Sequence, residues 1–204
     1  LAQNEIVQLN PDVLKAMTLV QELKLSHNKI KELPPVIGKL AALTSLDISN
    51  NIITSIPVTI GDLKSLTALD ARSNQLSMLP PHIGNLNSLR VLQVDRNPLL
   101  APPSEVIREG TTSILDYLRR FSEANKAGSL HLVGMGLSTL PREVPFLTGV
   151  TDLVLTSNEI TELPMEIGNL TRLTKLNVSK NELRAIPHTL ADCVHLEDLI
   201  IGDN

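Results

Sequence analysis

The sequence predicts an α/β solenoid of short parallel strands, and two observations support this prediction. The first is an asparagine ladder with a step of 23 residues, formed by Asn28, Asn51, Asn74, Asn97, Asn158, Asn181 and Asn204. Met135 occupies the position where the second block of this ladder resumes. The second observation is a fixed spacing of leucine and isoleucine around each asparagine. A constant period of this length indicates stacked structural repeats, because no single turn can bury its own apolar side chains.

Each position of the repeat has a physical role, which the stretch 46–69 shows best. Leu46 and Ile48 lie two residues apart, so on a strand they point to one face while Asp47 points to the other. Asn51 follows where the chain leaves the strand, and its amide can both donate and accept hydrogen bonds to backbone groups of neighbouring turns. Pro57 then interrupts any regular ladder. The stacked asparagines are therefore predicted to satisfy the backbone groups that the bends leave unpaired.

A period of roughly 20–29 residues with this leucine spacing is typical of a leucine-rich repeat horseshoe. We predict one parallel concave sheet of about eight short strands, near residues 22–26, 45–49, 68–72, 91–95, 129–133, 152–156, 175–179 and 198–202. The glycines Gly38, Gly61, Gly84 and Gly168 share one repeat position, which predicts a tight backbone conformation there. Residues 1–19 are interpreted as a degenerate leading repeat, and the chain is expected to be a fragment of a longer protein.

The interval from Asn97 to Met135 is one repeat plus 15 residues, which predicts a helical insertion near 104–124. Ile114, Leu118 and Phe121 follow helical spacing, so we expect a helix over about 112–122 with these side chains buried. The chain then divides into a first block, 1–103, an insertion, 104–126, and a second block, 127–204, of one continuous solenoid. The insertion is interpreted as a packing element, or alternatively as a docking surface formed by Tyr117, Arg119 and Arg120.

Composition excludes several classes of function. The formal net charge is -4, which argues against nucleic-acid binding, because a nucleic-acid-binding surface needs a basic stripe. The sequence contains no run of 18 apolar residues, so no membrane span is predicted. The single cysteine, Cys193, stands where Leu63 and Leu170 stand in other repeats and is interpreted as a buried hydrophobic side chain. Because disulfide-rich caps are lacking, we expect a cytoplasmic, intracellular location.

The motif Leu-Pro-x-x-Ile-Gly-x-Leu, found at Leu33–Leu40, Leu79–Leu86 and Leu163–Leu170, resembles the intracellular Ras-group class of leucine-rich repeat proteins. The insertion is similar to the block-ending segment of several such proteins and to the junction before the GTPase domain of Roco proteins. Here repeats resume after it, which favours the former. The resemblance implies a scaffold that engages small GTPases or other signalling proteins.

No catalytic, cofactor-binding or metal-binding constellation is evident, so the chain is not expected to be an enzyme. The histidines lie in different repeats, and no cysteine and histidine spacing fits zinc. His131 is expected to meet Asp152 as a solvated surface pair.

The outward strand positions form two columns. One contains Lys24, Asp47, Asp70, Gln93, His131, Val154, Asn177 and Ile200; the other contains Ser26, Ser49, Arg72, Asp95, Val133, Thr156, Ser179 and Gly202. We define the predicted partner site as Asp47, Asp70, Arg72, Gln93, Asp95 and Arg96. The alternative to a partner site is an ordinary solvated sheet face whose charges compensate one another and contribute little to stability. Two functions are predicted: a scaffold that binds a signalling partner, such as a small GTPase, or the recognition arm of a larger receptor, kinase, ligase or Roco-type GTPase. The sequence does not define the oligomeric state.

Overall fold

A computed structural model of the chain describes residues 4–204 and contains two compact units. The first unit comprises the residues up to Pro102 together with Glu109–Arg119. The second comprises Pro103–Arg108 and Arg120–Asn204. The insertion is therefore shared between the two units and does not form a unit of its own.

Each unit contains one parallel sheet of four short strands. In the first unit the strands are β1 (Glu22–Lys24), β2 (Ser45–Asp47), β3 (Ala68–Asp70) and β4 (Val91–Gln93), hydrogen-bonded in chain order. In the second they are β5 (Ser129–His131), β6 (Asp152–Val154), β7 (Lys175–Asn177) and β8 (Asp198–Ile200), again in chain order. The predicted fold class is confirmed, and every strand begins at its predicted residue. The eight strands form two sheets, whereas the sequence predicted one.

The side of each repeat opposite its strand is built from short helices. Within residues 4–204, six 3-10 helices span Pro35–Lys39, Val58–Asp62, Pro81–Asn85, Val144–Phe146, Met165–Asn169 and His188–Asp192. Proline precedes five of them, and in Val144–Phe146 it is the second residue. Its fixed φ suits a helix start, and it has no amide hydrogen to leave unpaired. The degenerate leading repeat instead forms an α-helix, α1 (Pro11–Ala16), capped by Asn10, whose side chain accepts from the Asp12 amide at 2.8 Å.

The core is a column of leucine and isoleucine side chains, one layer per repeat. The strand residues Leu46 and Leu69 are buried, as are Ile60 and Leu63 on the opposite side of the same repeat. Neighbouring repeats meet in register, with Leu46 paired to Leu69 across adjacent strands. Burial of these side chains by stacking stabilises each layer by roughly 1.5–3 kcal/mol per fully buried residue.

The asparagine ladder makes the hydrogen bonds that its spacing predicts. The Oδ1 of Asn51 accepts from the Ile30 amide at 3.0 Å, one repeat earlier. Its Nδ2 donates to the carbonyls of Leu25, Ile48 and Ser49 at 2.9–3.1 Å. The same pattern recurs at Asn28, Asn74, Asn97, Asn158, Asn181 and Asn204. Each asparagine thus joins two turns, and the predicted structural role of the ladder is confirmed.

The recurring glycines are required by close approach of a neighbouring backbone. None of the four has a positive φ. A Cβ added to Gly61 would lie 2.6 Å from the His82 carbonyl oxygen, which is the equivalent contact of the next repeat. A Cβ on Gly84 would lie 2.2 Å from the backbone nitrogen of Arg119 in the insertion. The tight position predicted from the sequence is therefore a place where no side chain fits.

The insertion forms two helices, α2 (Ser104–Arg108) and α3 (Thr111–Ala127). Ile114, Leu118 and Phe121 are 1–6% exposed, which confirms the predicted buried stripe. Gly110 separates the helices with a φ of 90°, a conformation that glycine adopts without strain.

Side chains of the insertion cap a sheet edge in each unit. In the first unit, the Leu92 amide at the edge of β4 donates to Thr111 Oγ1 at 3.1 Å. In the second, the Arg120 guanidinium donates to the His131 carbonyl of β5. The equivalent carbonyl of the next strand, at Val154, instead accepts from the Leu132 amide of the preceding strand. Both side chains therefore satisfy backbone groups that an adjacent strand would otherwise satisfy.

Candidate functional site

The predicted partner site lies on one face of β2, β3 and β4. Asp47, Asp70 and Gln93 are directly paired in register across these strands. They are half-buried, and they alternate with the buried Leu46 and Leu69. Neighbouring strands are about 4.8 Å apart, so these polar side chains belong to one continuous surface. None of them contributes to the apolar core.

Arg72 lies among the carboxylates of this surface. Its Nε and Nη2 contact both Asp70 oxygens, with the shortest distances 3.0 Å to Oδ1 and 2.6 Å to Oδ2. The hydrogen bond to Asp70 and the charge of that carboxylate raise the pKa of Arg72. The charges of Asp95 and Asp47 raise the same pKa further. One guanidinium thus faces three carboxylates, and the local charge of this part of the surface is negative.

Asp47 is held in place by its own turn. Its Oδ1 accepts from the Ser49 amide at 3.0 Å and from the Ser49 hydroxyl at 2.7 Å. Partial burial raises the pKa of Asp47, but hydrogen bonds from Ser49 and Ser26 and the charge of Arg72 outweigh it, so the net shift is downward. The carboxylate therefore stays ionised and oriented at neutral pH.

Asp95 and Arg96 complete the predicted set, although they belong to the turn that follows β4. Both side chains are exposed. Arg96 has a φ of 57°, and it shares this left-handed conformation with the residue before the ladder asparagine in the other repeats. The structure thus brings Asp47, Asp70 and Arg72 together with Asp95, and it places Arg96 in the adjoining turn. The assignment of these residues to partner binding stays a prediction.

A third outward column was missed in the sequence. It precedes the first inward leucine of each strand and contains Glu22, Ser45, Ala68, Val91, Ser129, Asp152, Lys175 and Asp198. Counting the alternation of period two back by one residue would have found it. In the second unit, Asp152 of this column meets His131, with Nε2 and Oδ2 3.2 Å apart, as the sequence predicted.

The alternative docking surface on the insertion is wrong in its central residue. Tyr117 is fully buried, because it lies three residues after Ile114 and four before Phe121, on the apolar face of α3. Arg119 is half-buried and donates to the Gly84 carbonyl at 3.2 Å, and Arg120 caps β5. The buried Tyr117 side chain is inaccessible to a binding protein, and both arginines donate to backbone carbonyls of the repeats. These contacts favour the packing interpretation, and a docking role for Arg119 and Arg120 stays a prediction.

Other predicted features lie as follows. Cys193 is 3% exposed, and burial raises its pKa, which agrees with its interpretation as a buried apolar side chain. Within residues 4–204, no three histidine, cysteine, aspartate or glutamate side chains form a group able to hold a metal ion. Over the same range, no helix is long and apolar enough to cross a membrane.

Comparison with known protein families agrees with the repeat pattern. Residues 4–109 match the family described as "Leucine-rich repeat region", and residues 129–204 match "Leucine rich repeat". None of the curated proteins matches the chain. Neither family match distinguishes the intracellular Ras-group class. The insertion is also interpreted as similar to the one in leucine-rich repeat-containing protein 40. This likeness, the Ras-group class and the cytoplasmic location stay predictions.

Several solved structures are similar to this chain over most of its length. A leucine-rich repeat protein of Leptospira interrogans is 28% identical over 96% of this chain and 46% of its own, with a TM-score of 0.45. The ectodomain of the Arabidopsis thaliana receptor kinase GASSHO1/SCHENGEN3 is 25% identical over 99% of this chain and 26% of its own, at 0.37. An internalin of Listeria monocytogenes is 17% identical over 93% and 43%, at 0.36. The chain spans less than half the length of each.

Proposed function

Because the chain belongs to the leucine-rich repeat family, whose domains are generally protein-interaction modules, we propose that it binds a protein partner through the predicted partner site. The observation that carries this proposal is the clustering of Asp47, Asp70, Arg72 and Asp95 on neighbouring strands. A surface of this kind recognises its partner by charge complementarity, which governs specificity and association rate more than affinity.

The arrangement of these side chains supports binding better than a role in stability. The Asp70–Arg72 pair is solvent-accessible, and exposed ion pairs contribute little to folding. The pair is nevertheless held in a bidentate geometry, and Asp47 is fixed by Ser49. An oriented polar surface loses little side-chain freedom when a partner binds, so less of the interaction energy is lost to ordering.

The kind of partner is proposed from the sequence resemblance to the Ras-group class. A signalling protein such as a small GTPase would make the chain a cytoplasmic scaffold. The alternative is the recognition arm of a larger receptor, kinase, ligase or Roco-type GTPase. The full-length gene sequence distinguishes these two, because a kinase, ligase or GTPase domain beside the repeats supports the second.

The proposal is tested with two charge reversals of equal size in the first unit. Asp70→Lys with Asp95→Lys alters the predicted partner site. Glu32→Lys with Asp62→Lys is the matched control, since both of these carboxylates are exposed and lie outside the strands. The intact protein in each form is used to capture partners from its native cells, and the captured proteins are quantified by mass spectrometry.

We expect partners that the wild type captures to be lost with the strand-face reversal and retained with the control. For a partner identified in this way, the association rate should fall and lose its salt dependence. Thermal unfolding midpoints of both variants should stay close to the wild type. Partners that survive the strand-face reversal and are lost with the control would refute the proposed site.

A further inference from the structure

The first turn of the second unit lacks the side chain that ties the other turns. Met135 stands where the ladder has asparagine, so it cannot make the donations that Asn158 makes to the Leu132 and Leu155 carbonyls at 2.7 and 2.8 Å. Gly134 and Gly136 flank it with φ values of 65° and 63°. This turn therefore has fewer hydrogen bonds and a more adaptable backbone than its equivalents.

Glu105 of α2 accepts hydrogen bonds from this turn. Its Oε1 accepts from the Ser138 hydroxyl at 2.6 Å and from the Ser138 amide at 3.3 Å. At the equivalent position of a regular repeat, the Thr54 amide donates to the Lys31 carbonyl of the preceding repeat at 3.3 Å. The carboxylate thus takes the place of a backbone carbonyl. We call the Glu105–Ser138 contact the latch; it joins Pro103–Arg108 to Ser138, and both belong to the second unit.

The latch differs in its chemistry from the hydroxyl contacts that join successive repeats, although the Ser49 hydroxyl also donates to a carboxylate, that of Asp47, within its own turn. The hydroxyls of Thr44, Thr67 and Thr174 donate to backbone carbonyls one repeat earlier. Ser138 instead donates to an ionised side chain, and it is exposed on the surface. A change in the charge of Ser138 is therefore felt directly by Glu105.

We propose that Ser138 is a phosphorylation site whose modification opens the latch. A protein kinase would transfer the γ-phosphoryl group of ATP to the Ser138 oxygen. The bond between that phosphorus and the bridging oxygen of ATP breaks, ADP leaves, and the hydroxyl proton passes to the base of the kinase. The exposed hydroxyl and the adaptable glycine-flanked turn let this segment fit a kinase active site.

The product places two anions against each other. Phosphoserine carries about −1.5 to −2 charges near pH 7 and no longer donates a hydrogen bond. The Glu105 carboxylate is ionised near pH 7, and phosphorylation removes the Ser138 hydroxyl that donates to it. A phosphate placed beside a carboxylate repels it, and this repulsion disrupts the Glu105–Ser138 contact. Phosphorylation should therefore release Pro103–Arg108 and expose Val106, which is 2% exposed when the latch is closed.

The test introduces phosphoserine at Ser138 by genetic encoding and measures amide hydrogen exchange. The Ser138 amide and the Ile107 amide, which donates to the Pro103 carbonyl at 3.1 Å, should exchange faster by roughly tenfold or more. Ser77 provides the matched control. It occupies the same repeat position, is exposed and is not among the residues hydrogen-bonded to Glu105, so phosphoserine there should leave these amides unchanged.

A second variant separates charge repulsion from simple loss of the hydroxyl. Ser138→Ala should open the latch only in part, and Glu105→Gln should restore slow exchange at the Ile107 amide in the phosphoserine form, because a neutral amide can donate to phosphate. Unchanged exchange with phosphoserine at Ser138 would overturn the proposal. Failure of Glu105→Gln to restore it, or the absence of phosphate on Ser138 in protein purified from its native cells, would also overturn it.

Discussion

Replacing Asn74 with alanine removes four hydrogen bonds from the centre of the first unit. Asn74 is 7% exposed, and its Oδ1 accepts from the Ile53 amide at 3.0 Å. Its Nδ2 donates to three carbonyls, each of which keeps another donor. In the variant the Ile48 carbonyl still accepts from Asn51 Nδ2, and the Ala71 carbonyl still accepts from Asn97 Nδ2. The Arg72 carbonyl still accepts from the Asn50 amide.

The Ile53 amide therefore sets the magnitude of the effect. It has no second acceptor, and its residue is fully buried. Leaving one buried polar group without a partner costs about 1–3 kcal/mol. We expect Asn74→Ala to reduce the free energy of unfolding by this amount.

Urea denaturation followed by circular dichroism measures the loss, and hydrogen exchange at the Ile53 amide locates it. Gln75→Ala is the matched control, because Gln75 is the exposed neighbour of Asn74 and only its backbone is hydrogen-bonded. The control should change stability by less than about 0.5 kcal/mol. An Asn74→Ala midpoint equal to that of the wild type would refute the structural role of the ladder.

Three further predictions concern the packing of the insertion. Phe121→Ala should cost about 3–5 kcal/mol in urea denaturation, since the side chain is 6% exposed, and an unchanged midpoint would contradict its burial. Gly84→Ala should lower the thermal midpoint because its Cβ would lie 2.2 Å from the Arg119 nitrogen, whereas Gly202→Ala, with nothing within 4 Å, should not; equal midpoints would contradict the close approach. Glu105→Gln should be less stable than the wild type above pH 4.5. The difference should shrink as pH falls through about 2, because the folded-state pKa of Glu105 is lowered from 4.5 to about 2; a difference that persists in acid would assign it to packing.

The regular part of the fold could be predicted because two periodicities coincide. The 23-residue step places each asparagine, and the period of two around it places the strand, so Leu46 and Leu69 were identifiable as core. The polar outward residues follow from the same alternation. Asp47, Asp70 and Arg72 could therefore be placed on one surface, although the bidentate contact between Asp70 and Arg72 could not.

The insertion was harder because its contacts join residues far apart in the chain. The alternative interpretation placed Tyr117 on a docking surface, although its helical spacing from Ile114 and Phe121 indicated the core. The caps supplied by Thr111 to β4 and by Arg120 to β5 join residues distant in sequence, and no local pattern encodes these contacts. The interruption of the ladder at Met135 was visible in the sequence, but the contact of this turn with Glu105 was not.

The most direct measurement of the central claim uses a photo-cross-linking amino acid introduced at Gln93, within the predicted partner site. Its control is the same substitution at Asp62, which is exposed and lies away from the strands. With a partner captured by the intact protein, we predict a covalent adduct from position 93 and none from position 62. Adducts from position 62 without any from position 93 would contradict binding through the strand face.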